Sequence, residues 1–130
     1  MPQVDIYRDI HKGVRNLLSA ASLKAGSTDW TSDDALADLE REFTRLLRVL
    51  RLHVQNEERY VHPLLADRLP GGHKALEAAH RQQEEILDDL EAFFRRSKAA
   101  DTDRRVQLGL EFYRALNRFI ALYLPHLDDE

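Results

Sequence analysis

The sequence predicts an all-α fold, an up-down-up-down four-helix bundle, and three observations carry that expectation. Apolar residues recur at spacings of three and four through almost the whole chain, the breaks between these stretches coincide with turn chemistry, and the connections so defined are short. No stretch alternates with a period of two. There is no internal repeat, low-complexity segment or linker, so residues 1–130 are expected to form a single domain, long enough to bury its own core.

The first helix is expected from about Val4 to Ala25, with Tyr7, Val14, Leu18 and Ala21 on one stripe and Gly26-Ser27-Thr28 closing it. The second begins after Trp30, where Thr31 or Ser32 can cap and Asp33 and Asp34 suit the positive end of the helix dipole. Its stripe is the clearest in the chain: Leu36, Leu39, Phe43, Leu46 and Leu50, then His53, Glu57, Tyr60 and Leu64. Pro63 should kink it, and Pro70-Gly71-Gly72 ends the hairpin. The third helix carries His73, Leu76, His80, Gln83, Leu87, Leu90 and Phe94 and fades through Lys98-Ala99-Ala100. After a cap at Asp101 or Thr102, the fourth carries Phe112, Leu116, Phe119, Tyr123, His126 and Glu130.

Composition narrows the function classes. Charged residues make up 32% of the chain and hydrophobic residues 43%, which excludes a disordered segment. A net charge of -4 leaves no basic surplus for a nucleic-acid backbone or an anionic membrane, so neither is expected as a partner. With no cysteine, disulfides, thiol nucleophiles, thiolate zinc sites and iron–sulfur clusters are excluded, and any metal must be held by N and O ligands. The opening MPQVDIYRDIHKGVR lacks the apolar core of a secretory signal, and no apolar run approaches the ~20 residues of a membrane span, so the expected location is the cytoplasm.

Four polar side chains interrupt the apolar stripes, one per helix: His11, His53, His80 and His126. Residues on antiparallel neighbours lie level when they are equidistant from the connecting turn. His53 and His80 are so placed about the turn near Pro70, His80 and His126 about Asp101 to Asp103, and His11 and His53 about Gly26 to Thr31. The four imidazoles are therefore expected at one level of the bundle. Glu57 and Glu130 each follow a histidine by four residues, which stacks carboxylate and imidazole on one helix face. Four imidazoles with two carboxylates suit first-row metals such as iron, manganese or zinc, and two such carboxylates can bridge a pair of ions.

These residues resemble the hemerythrin-like, or HHE, cation-binding family across nearly the whole chain. The resemblance rests on the early histidine of DIHKGVRNLL, the H-x-x-x-E-E segment of HVQNEERYVHPLL, the histidine of AAHRQQ and the final H-x-x-x-E of HLDDE. It implies two non-haem iron ions, an oxo-bridged pair in some states, with zinc or manganese as substitutes. By the same resemblance His11, His53, His80 and His126 are terminal ligands, and Glu57 and Glu130 are bridges. Oxygen-carrying hemerythrins use a second histidine on the third helix at H-x-x-x-H spacing, where this chain has Leu76 and Glu84 on either side of His80. The pattern is closer to the four-histidine, two-glutamate branch of iron-centre repair and iron-sensing domains, although the cysteine-bearing domain of the repair proteins is absent. A chain ending at Glu130 leaves that ligand exposed to fraying.

The implied role is to bind or sense O2, NO or iron itself. An enzyme acting on NO, peroxide or ferrous iron is the alternative, with no catalytic residue assigned, and a metal-free interaction bundle is the third reading. His73, Glu58, Glu77, Glu84, Tyr7 and Tyr123 flank the expected site as additional ligands or supporting groups, and for each a solvated, capping or core role is the simpler expectation. His62 lies on the opposite face and should meet solvent. A ferritin-like carboxylate site would need two Glu-x-x-His motifs, and only Glu77-x-x-His80 is present.

Overall fold

The computed structural model describes residues 6–60 and 72–129, apart from the side chains of residues 6–9, 57–60, 72, 73, 75, 76, 128 and 129. Four helices follow one another: α1 (Ile6–Ser27), α2 (Asp33–Tyr60), α3 (Gly72–Ala99) and α4 (Thr102–Asp129). There is no strand among the described residues. Helix α1 packs on α2 and α4, and α3 packs on α2 and α4, with no close approach across either diagonal among the described residues. That square, closed in chain order, is the up-down-up-down bundle expected from the apolar period.

Local chemistry sets the helix ends. Ser27 and Thr28 donate their hydroxyls to the carbonyls of Leu23 and Lys24 at 2.8 and 2.6 Å, which satisfies groups the last turn of α1 would leave open. The helix accordingly continues past Ala25 to Ser27. Between Thr31 and Ser32, it is Ser32 that caps α2: the amide of Ala35 donates to its Oγ at 3.2 Å and that of Leu36 to its carbonyl at 3.0 Å. Thr31 instead closes a turn with Asp29, donating its amide and hydroxyl to Oδ1 at 3.0 and 2.6 Å. Those two bonds hold the Asp29 carboxyl below the usual aspartate range. At the start of α4 the carbonyl of Asp101 accepts from the amides of Arg104 and Arg105 at 2.9 and 3.0 Å, so Asp101 rather than Thr102 occupies the flanking position. The expected kink at Pro63 and the turn at Pro70-Gly71 lie outside the described residues. A different proline, Pro125, sits inside α4 one residue before His126; it donates no hydrogen bond to the carbonyl of exposed Ala121.

The stripes meet in a continuous core that includes Val14, Leu18, Leu36, Leu39, Phe43, Leu50, Leu87, Leu90, Leu116 and Phe119. Each fully buried leucine contributes about 1.5–3 kcal/mol of transfer free energy. An aromatic cluster fills the bundle near the α1–α2 and α3–α4 connections. Trp30, which precedes the start of α2, packs there on Phe94 and Phe112 with ring centroids 5.7 and 5.8 Å away. The indole fits because residue 109 is glycine: a Cβ there would stand 2.4 Å from Trp30 Cδ2.

The α2–α3 seam carries a charge cluster. The Arg51 guanidinium reaches Glu84 at 3.0 Å, Asp88 at 2.8 Å and Glu91 at 3.5 Å, all on α3. Burial alone would pull its pKa down, but the hydrogen bond with Glu84, the charges of Glu91 and Glu84 and the hydrogen bond with Asp88 outweigh this, and the group is held above its ordinary value. No helix among the described residues is long and apolar enough to cross a membrane.

Candidate metal centre

The histidines that interrupt the stripes gather at the end of the bundle opposite the aromatic cluster. His11 on α1 faces His53 on α2, ring centroids 5.1 Å apart and planes at 80°. His80 on α3 faces His126 on α4, centroids 5.2 Å apart and planes at 74°. Two of the three pairings that the spacing sets level, across α1–α2 and across α3–α4, are thus in ring contact. His53 and His80 are buried, at 6% and 2% exposure, whereas His11 and His126 are half-buried near the outer ends of α1 and α4. The Nε2 atoms of His11 and His126 and both ring nitrogens of His80 are shielded from solvent.

The remaining candidates divide into three groups. The side chains of Glu57, Glu58, Tyr7 and His73, together with Glu130 and His62, lie outside the described residues. Glu77 is exposed, and Glu84 is half-buried and engaged by Arg51 on the α2–α3 seam. Tyr123 is a core residue, 1% exposed, packed between Phe119 and His126 with ring centroids 5.4 and 5.9 Å away. One turn below His80, Gln83 puts a shielded side-chain oxygen into the bundle. In the sequence Gln83 is a polar residue on the core stripe of the third helix, and that position is the signal for its shielded oxygen.

Among the described residues, no group of three or more His, Asp or Glu side chains stands close enough to hold a metal ion. The described donors come as two pairs of imidazoles, and the carboxylates of the expected set lie outside them.

The family model for the hemerythrin HHE cation binding domain matches residues 3–130. The chain belongs to the hemerythrin family. Comparison with curated proteins and with solved structures gives no match. As a hemerythrin HHE domain the protein is a cation-binding bundle, and its donor chemistry fits that description. Neutral imidazole is a good ligand for first-row metals.

Proposed function

We propose that this hemerythrin domain is a non-haem di-iron protein that binds a small diatomic, O2 or NO. His11, His53, His80 and His126 would serve as its nitrogen ligands and Glu57 and Glu130 as bridging carboxylates. The observation that carries the reading is the pair of facing imidazoles, one across α1 and α2 and the other across α3 and α4. Neutral imidazoles are good ligands for first-row metals, and four of them, one from each helix, stand at one end of the bundle. The i, i+4 spacing from His53 to Glu57 and from His126 to Glu130 supports the carboxylate assignment, because it stacks each pair on one helix face. Leu76 and Glu84 on either side of His80 favour the four-histidine, two-glutamate branch.

When bound, a ferrous pair supplies electrons and an open coordination position for a diatomic ligand. The chain's contribution is orientation and exclusion of water. Val14, Leu50, Val54 and Leu127 are buried around the histidines and present an apolar wall. The bundle neighbours on which each imidazole packs hold its ring plane.

The test is anaerobic loading with ferrous iron, followed by iron analysis and visible absorption before and after air, in the wild type and in His53→Ala. The expected result is about two irons per chain and an air-dependent band, both diminished in His53→Ala. A folded wild type that retains no iron would return the chain to the metal-free or zinc-binding readings.

A further inference from the structure

The core layer beneath the histidines holds a carboxamide with a shielded oxygen, that of Gln83, which the proposed metal ligands leave unused. Because the His80 and His126 rings meet, the antiparallel register puts Gln83 level with Tyr123, one turn further into the bundle. The His11–His53 contact likewise puts Val14 level with Leu50. Val14, Leu50 and Tyr123 are buried, as a core layer requires. Gln83 differs, because its Oε1 is shielded from solvent and accepts no hydrogen bond among the described residues.

A buried amide oxygen without a donor costs about 1–3 kcal/mol, and methionine would fill the same stripe without that cost. Helical side chains lean toward the N-terminus of their helix, so the Gln83 carboxamide reaches toward the turn that carries His80. Glu84, its neighbour in sequence, is bonded to Arg51 on the seam and does not compete for that space.

Resting on the di-metal reading, we propose that Gln83 is the hydrogen-bonding partner of the small ligand held among the histidines. It would make that pocket selective for ligands that donate or accept a hydrogen bond. A carboxamide offers an acceptor and, after a half-turn of its terminal torsion, a donor, so it serves a protonated oxygen ligand or a small anion such as azide. NO is a weak hydrogen-bond acceptor and gains little from the contact. Gln83 thereby tunes which ligand stays rather than whether metal binds.

The experiment compares wild type with Gln83→Met, which keeps the length of the side chain and removes the amide; Gln83→Leu replaces it if the methionine variant does not melt cooperatively. Iron content, azide and NO affinities of the ferrous-loaded and air-treated protein, and the melting temperature of the iron-free protein are measured together. The expected outcome is unchanged iron content, azide binding weakened about tenfold, unchanged NO affinity, and an iron-free melting temperature raised by about 3 °C. Azide affinity equal to wild type, azide and NO weakened in parallel, or a lowered iron-free melting temperature would each overturn the inference and leave the di-metal reading standing. A wild type that holds no iron would overturn both.

Discussion

Two glycine-to-alanine substitutions, both inside helices, should change stability in opposite directions. Gly109 lies in α4 against the indole of Trp30, and a Cβ added there would stand 2.4 Å from Cδ2 and 2.5 Å from Cγ and Cε2. Ordinary contact begins at 3.4 Å, so the ring must retreat by the difference of 3.4 and 2.4, roughly 1 Å. It has little room to do so, since Trp30 is 6% exposed and bears on Phe94 and Phe112. Overpacking of this kind costs about 1–3 kcal/mol, against about 1 kcal/mol gained from the better helix propensity of alanine. Gly109→Ala should therefore lose up to about 2 kcal/mol net. Gly13 is the control: it is exposed in α1, and nothing stands within 4 Å of an added Cβ. Gly13→Ala should gain about 0.5–1 kcal/mol from propensity alone. Urea unfolding followed by far-UV circular dichroism gives both values, and Trp30, the single tryptophan of the chain, reports the displaced ring through its fluorescence. Changes of the same sign in the two variants, or a Gly109→Ala protein with wild-type fluorescence, would refute the packing account.

Other perturbations test the site and its supports. His80→Leu replaces an imidazole that is 2% exposed with an apolar side chain; the stabilisation that ferrous iron gives the wild type should largely disappear. Equal iron-induced melting shifts in both proteins would count against His80 as a ligand. Arg51→Gln leaves Glu84, Asp88 and Glu91 facing one another at partly exposed positions; after allowance for solvent screening the loss should be about 1 kcal/mol, smaller in high salt. A salt-independent loss would assign the effect to packing of the arginine stem. The Asp29 carboxyl, held low by Thr31, stabilises the fold above the ordinary aspartate range, and its contribution is lost as pH falls through the depressed native value. Asp29→Asn should therefore be less stable than wild type near neutrality, with the gap closing in acid; a gap that persists at low pH would contradict this.

Much of the fold was legible because a bundle writes its core into the sequence at a fixed period. Leu36, Leu39, Phe43, Leu46 and Leu50 step by three and four, and all five are buried. The histidine levels were legible for a related reason. In antiparallel helices joined by short turns, distance from the turn sets height, and the ring contacts of His11 with His53 and His80 with His126 follow. Groups whose role depends on a partner far along the chain were not legible. Arg51 lies among arginines that look alike in sequence, and only the approach of α3 distinguishes it by supplying three carboxylates.

By itself, then, the sequence determined the all-α class, the four helices, their order and the pairing of His11 with His53 and of His80 with His126, because each of these follows from local period and chain distance. It also carried the hemerythrin pattern, which the match over residues 3–130 bears out. Tertiary structure alone decided that Gly109 gives way to Trp30, that Arg51 joins α2 to α3, and that the Gln83 oxygen is turned into the interior. Those outcomes depend on which atoms meet across helices, and close packing leaves room for one arrangement at each contact, a condition that spacing along a single helix does not encode.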